Sequence, residues 1–302
     1  MITLIRHRVP GSTRRKYLQA TVVASLAAIA LVGCSSPQSE ADPTTAPPLD
    51  HVHGIVSDPD SAGILIATHV GIYRLDGMEQ GGEMSGPVGG LDFDAMGITS
   101  TADTLYASGH PGPTTPDEFG SPNLGLIRSD DSALTWQTVS LSGEADFHEL
   151  TATRDGTDFI YGLQGEQLRR SDDGGQTWID LPPIQARDIV VSPGAASTLY
   201  ATTEAGLAVS NDGGNEFVVD ASAPIMYVIS AGPERGLVGV DLNGTIRHRD
   251  GASSEWSSGG TIAGAAQAFT YLEEAGMLLV ADDRGVRASE DFGLTWEMLV
   301  PR

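Results

Sequence analysis

Cysteine is almost absent from the 302-residue chain. Cys34 stands alone, which excludes an intramolecular disulfide, a Cys-rich zinc site and a Cys-pair redox centre. Lysine is equally scarce: Lys16 is the only one, and with Arg6, Arg8, Arg14 and Arg15 it lies before Cys34. The whole chain carries 17 basic residues against 40 acidic ones, a formal net charge of -23, so the part after Cys34 is more acidic still. Such a surface repels phosphate backbones, which excludes nucleic acid as a partner. Aromatic residues are few, at 6%, whereas Gly (37) and Pro (17) are frequent; many turns and short elements are expected rather than long helices. Hydrophobic residues at 40% and charged residues at 19% suit a folded body, and the length suggests one or two domains.

The basic residues have an address to write. Residues 1–19 are basic, residues 20–33 are small and apolar, and the run ends in Leu31-Val32-Gly33-Cys34. A basic region, a short apolar region and small residues before a cut describe an export signal over 1–33. The apolar run falls short of the roughly 20 residues of a membrane span. Leu31-Val32-Gly33-Cys34 resembles the bacterial lipobox, which implies that Cys34 is lipidated and becomes the new N-terminus. Thr13-Arg14-Arg15-Lys16-Tyr17-Leu18 resembles the twin-arginine signal, which implies export in the folded state. Residues 34–50 have no apolar periodicity and are rich in Pro, Ser and Thr, a disordered tether. The expected product is exported and held by lipid on the outer side of the cell membrane.

Residues 51–302 are built on a repeat. Five segments align: Arg128-SDDSALT-Trp136, Arg170-SDDGGQT-Trp178, Val209-SNDGGNE-Phe217, His248-RDGASSE-Trp256 and Ala288-SEDFGLT-Trp296. Their last aromatics are 42, 39, 39 and 40 residues apart, a spacing that signals stacked units. Short Asp and Ser side chains bond nearby backbone and Gly permits positive φ, so each segment predicts a tight turn with a structural role. Each unit also carries short strand-like runs, as in Asp188-IVVS, Thr198-LYATT, Gly206-LAVS and Glu216-FVVD. Inner strands are expected at His53-GIVS, Met96-GITS, His148-ELTA, Asp188-IVVS, Met226-YVIS and Gln267-AFTY. The prediction is an all-β, six-bladed propeller of four-stranded antiparallel blades; a seventh blade requires that two units have been merged. The first blade lacks a copy of the repeat unless Arg74-LDG is its remnant.

The pattern Ser-x-Asp-x-Gly-x-Thr-Trp resembles the Asp-box, or BNR repeat, of sialidase-like propellers. With His51-Val-His53-Gly, Ala107-SG-His110-PG and Gly143-EADF-His148, the chain is similar to exported bacterial lipoproteins catalogued as glycosyl hydrolases. That resemblance implies a carbohydrate substrate. Sialidases, however, need an arginine triad and a Phe/Tyr-Arg-Ile-Pro motif. Tyr73-Arg74-Leu75-Asp76 departs from the motif at its last two positions, and the remaining arginines mostly sit in or beside the repeats, so sialidase activity is not expected.

Histidine placement gives a sharper expectation. His51, His53 and His148 fall at the starts of inner strands, and His69 and His110 at the ends of second strands. Antiparallel pairing brings all five to one face, opposite the repeated turns. Converging neutral imidazoles suit a divalent transition metal, Zn or Cu first, with Ni and Fe also compatible. Asp94, Glu144, Asp146 and Glu149 fall nearby, and Glu204 and Asp283 take equivalent second-strand ends; such carboxylates can be ligands or hydrogen-bond acceptors that fix the imidazole tautomer. The other reading of this face is a glycoside hydrolase using Asp94, Asp146 and Glu149, since that chemistry needs two carboxyls flanking a sugar. The ligand of either face is a small molecule, a glycan or a protein.

Overall fold

A computed structural model describes Leu49 and residues 51–302, except 79–81, 155, 158, 252 and 254. The expected signal segment 1–33, and all of the expected tether but Leu49, lie outside the described residues. Leu49 is buried.

Among the described residues, twenty-four strands form six four-stranded antiparallel sheets, each from consecutive strands. Blade one holds β1 (Val52–Ser57), β2 (Ile64–Thr68), β3 (Gly71–Asp76) and β4 (Glu83–Ser85). Blade two holds β5 (Phe93–Ser100), β6 (Leu105–Pro111), β7 (Leu126–Ser129) and β8 (Gln137–Ser140). Blade three holds β9 (Glu149–Ala152), β10 (Ile160–Gln164), β11 (Gln167–Ser171) and β12 (Ile179–Asp180). Blade four holds β13 (Asp188–Ser192), β14 (Ala195–Thr203), β15 (Gly206–Ser210) and β16 (Val218–Val219). Blade five holds β17 (Met226–Ala231), β18 (Leu237–Asp241), β19 (Thr245–Arg249) and β20 (Ser257–Thr261), and blade six β21 (Ala268–Leu272), β22 (Met277–Asp282), β23 (Gly285–Ser289) and β24 (Glu297–Pro301). The innermost strands touch in the order β1, β5, β9, β13, β17, β21 and back to β1, closing the ring of a six-bladed propeller. Among the described residues no helix is long and apolar enough to cross a membrane.

The core is divided among the blade interfaces, because each sheet buries both faces against its neighbours. Six apolar clusters occupy the six interfaces. The second strand of a blade is covered on both sides, so β2, β18 and most of β22 read as continuous apolar runs, whereas outer strands such as β12 and β16 are exposed. The last cluster closes the ring: Leu49, Val52 and Ile66 pack with Ala268, Leu279 and Leu299.

Polar links supplement the apolar ones at the centre. A side chain of one inner strand or its approach accepts a backbone N–H from the next at four interfaces: Val191 N–H to Thr151 Oγ1 (3.1 Å), Ile229 to Asp188 Oδ2 (2.8 Å), Tyr271 to Ser230 Oγ (3.0 Å) and Val52 to Gln267 Oε1 (3.0 Å). Between blades two and three the Phe147 N–H reaches Ser108 Oγ on β6 (2.9 Å). Among the described residues none of these bonds joins β1 to β5.

The repeated segments form hydrogen-bonded turns, as expected. In the complete copy the Ser171 hydroxyl accepts the Gly175 N–H (2.8 Å), and Asp173 accepts the Thr177 N–H and hydroxyl (2.8 and 2.7 Å). The same bonds recur around Ser129 and Asp131, and around Ser289 and Asp291. In blade two Ser132 and Ala133 hold positive φ (54° and 68°) where blade three has Gly174 and Gly175. The strained backbone is held from outside: the Ser132 hydroxyl donates to Asp58 and Asp60, and the Arg74 guanidinium, itself paired with Asp58 (2.9 Å), donates to the Ser132 carbonyl (2.8 Å). Arg74 is thus an inter-blade tie, with no repeat turn of its own. The terminal rings pack unequally. Trp136 is buried, whereas Trp178 is half-buried against Phe147, with its Nε1–H on Ser140 Oγ (2.9 Å).

Candidate functional site

The five histidines of the sequence reading fall into two groups on one side of the ring, where inner strands begin and second strands end. His51, His53 and His69 meet at blade one, and His110 and His148 meet between blades two and three.

The first group is made by a β-bulge. The β1–β2 register steps from Val52 opposite Thr68 to Gly54 opposite Ala67, so His53 is an extra residue. A bulge re-aims its side chain, and His53 turns toward His51 just ahead of β1 and His69 just beyond β2. The three rings lie 4.6–4.8 Å apart between centroids, with His51 and His69 stacked. One nitrogen from each lies within 4.8 Å of the other two. Asp94 of β5 completes the group from the next blade: its Oδ1 is 2.8 Å from His69 Nδ1 and 3.3 Å from His53 Nε2, and those two nitrogens are 3.2 Å apart. Burial acts to raise the Asp94 pKa, but the hydrogen bonds and charge of His53 and His69 outweigh it and hold the carboxyl below its ordinary value. Burial, then the neighbouring His53 and His69, lowers the pKa of His51, which favours the neutral ring.

With Asp94 ionised, His53 Nε2 and His69 Nδ1 can both donate to Oδ1, which brings two ring nitrogens and a carboxylate oxygen to one point. A single cation at the centre can replace those protons. Bonds of 2.0–2.1 Å in a tetrahedron place ligand atoms about 3.3 Å apart, close to the 2.8, 3.2 and 3.3 Å spacings of this triangle.

In the second group, Asp146 and His148 lie just before β9 and His110 lies on β6. Asp146 Oδ2 is 2.9 Å from His148 Nε2 and 3.3 Å from His110 Nε2. The hydrogen bond to Asp146 raises the His148 pKa.

Glu149 belongs to neither group. It follows His148 on β9, alternates to the other side and faces the central channel, a cavity of about 480 Å³. Burial, reinforced by the neighbouring Asp188 carboxylate, raises its pKa well above the carboxylate range. Burial also pushes Asp188 up to about 7, against the N–H bonds it receives from Ile229 and Ile189. Arg187 stacks on Tyr227 at 3.8 Å. The sequence reading missed Arg187 and Asp188 as channel residues. The signal was present, since Asp188 opens β13 as Glu149 opens β9. Glu204 and Asp283 join neither histidine group; Asp283 pairs with Arg302 (3.3 Å).

No protein-family model and no curated protein matches the chain. Solved structures share its architecture. A chain of a nidogen/laminin complex has TM-score 0.55 at 14% identity, over 76% of this chain and 89% of that one. The GH74 xyloglucanase from Xanthomonas campestris has TM-score 0.54 at 16% identity, over 82% of this chain and 45% of that one. The WD40 propeller domain of Doa1 has TM-score 0.51 at 12% identity, over 83% of each. The likeness is one of fold, and the chain spans less than half of the xyloglucanase.

Proposed function

We propose that this propeller is the exported body of a lipid-anchored, Asp-box surface protein that binds a divalent transition metal, Zn or Cu, through His51, His53, His69 and Asp94. The observation that carries the reading is the triangle of His53 Nε2, His69 Nδ1 and Asp94 Oδ1, three ligand-type atoms within 3.3 Å of one another, with a His51 nitrogen within 4.8 Å of both histidines. His69 is half exposed, so the centre is open to solvent and to an incoming small-molecule, glycan or protein ligand. An open position is what separates a centre that binds a further group from a closed structural one. Metal analysis of protein made without an affinity tag tests the reading. One tightly held equivalent in the wild type, lost in His69→Ala and Asp94→Asn, supports it; metal-free protein that binds none on titration contradicts it.

A second reading rests on Glu149. A carboxyl that burial raises well above its ordinary pKa, facing a cavity, is suited to general-acid work, and the fold is shared with the xyloglucanase. Asp94 and Asp146, the other carboxylates of the hydrolase reading, are engaged by histidines. Glycoside cleavage that survives chelation and stops in Glu149→Gln would favour this reading over the first.

A further inference from the structure

We propose that the histidine-side mouth of the central channel binds a small zwitterion, a free amino acid by class, with its carboxylate on Arg187 and its ammonium on Glu149.

The argument begins with an exception in the charge pairing. The chain has 40 acidic residues against 17 basic ones, so an arginine seldom lacks a carboxylate nearby. Every arginine beyond Cys34 pairs with one except Arg187 and Arg235. Arg235 follows β17, at the opposite mouth of the ring. Arg187 has carboxyls at hand. Its charge acts on Glu149 and on Asp188, and all three residues line the same cavity. Yet among the described residues no ion pair and no side-chain hydrogen bond joins Arg187 to either carboxyl.

The surroundings keep the opposite charges apart. The Arg187 guanidinium lies on the Tyr227 ring, 3.8 Å from its centroid. Such a stack fixes the plane of the fork and leaves its N–H edges uncovered. Asp188 is held by the neighbouring strand, where its Oδ2 accepts the Ile229 N–H (2.8 Å). Glu149 opens β9 on the adjoining blade and has no hydrogen-bond or ion-pair partner among the described residues. Burial and the Asp188 carboxylate raise its pKa, and Arg187 acts against them without reversing the shift.

A guanidinium and a carboxyl held near each other but unpaired make a pocket of two signs. A simple anion would meet Arg187 and be repelled by Glu149 and Asp188; a simple cation would meet the reverse. A molecule with both charges a few bonds apart satisfies each group. Its carboxylate can take two parallel N–H bonds from the planar fork, and its ammonium supplies the donors that Glu149 lacks. The cavity of about 480 Å³ is of the size that holds small ligands. The proposal rests on neither reading above. His53 borders the same cavity, so binding is measured with chelator present, where a metal plays no part.

Thermal-shift screening of the twenty common L-amino acids against tag-free protein in chelator, followed by calorimetry on those that bind, tests this site. At least one should bind with Kd below about 1 mM. Acetate and methylammonium, which offer the two charges singly, should bind at least about tenfold more weakly. Arg187→Gln and Glu149→Gln should each weaken the amino acid by at least about tenfold, with circular dichroism checking the fold. Arg187→Lys keeps the charge without the fork and should give an intermediate loss. No binder among the twenty would overturn the proposal. So would acetate or methylammonium binding as tightly as the amino acid, or binding indifferent to the Arg187 and Glu149 substitutions. Zn²⁺ uptake is not read here, so the metal centre stands or falls separately.

Discussion

Asp94 and His110 stand opposite each other in the β5–β6 pair, yet they serve different clusters. Asp94 reaches back to His53 and His69 of blade one, while His110 reaches forward to Asp146 before blade three. One rung of a β-ladder therefore joins the two histidine groups.

The first group also spans the interface between β1 and β5, where no inner-strand side chain bonds the next strand's backbone among the described residues. A metal shared by blade one and Asp94 would supply the missing tie. At a hundred times Kd it should stabilise the fold by about 2.7 kcal/mol, read as a rise in melting temperature that disappears in Asp94→Asn.

The repeated turns should matter to stability alone. Trp136→Ala, at a buried ring, should cost about 3–5 kcal/mol. Trp178→Ala removes a half-buried ring and leaves Ser140 without its indole donor; about 2–3 kcal/mol is expected. Chemical denaturation gives both values, and metal uptake should be unchanged in each folded variant.

Most of this architecture was legible beforehand, because a propeller repeats its grammar. The turn sequences fix where the third strand ends, and alternating short strands fill the intervals, so all six inner strands lie where the repeat places them. The site was less legible. Repeat logic brought five histidines to one face, but it could not show that Asp94 and Asp146 would sort them into two groups. That sorting depends on the bulge at His53 and on carboxylates reaching across from neighbouring blades, which only the folded ring sets. Ser132 teaches the same lesson: it stands where blade three has Gly174, and its hydroxyl and carbonyl tie blade two to blade one.

Stability should depend on pH in two opposed ways. For Asp58, Asp241 and Asp282, burial acts upward, but hydrogen bonds and arginine partners win and lower the folded pKa. Their contribution is present above the unfolded value, about 3.9, and is lost as pH falls through the lower folded values. Glu149 and Asp188 run the other way. With folded pKa values raised, Asp188 to about 7, they bind more protons folded than unfolded, so stability falls as pH rises from about 4 towards 7. Glu149→Gln should flatten that decline in denaturation curves taken across the range.

Cys34→Ala should release the protein from membranes or leave its precursor unprocessed. Fractionation of cells expressing the wild type and the variant reads this directly. Mature, membrane-bound Cys34→Ala protein would contradict lipid anchoring.

The central claim, a metal at the His53–His69–Asp94 triangle, is met most directly by X-ray absorption at the metal edge of tag-free protein loaded with one equivalent of Zn²⁺. The account predicts a first shell of nitrogen and oxygen at about 2.0–2.1 Å, containing two to three imidazoles, and the loss of that signal in a His53→Ala, His69→Ala double variant. A spectrum of hydrated zinc alone, or one indifferent to those two substitutions, would contradict it.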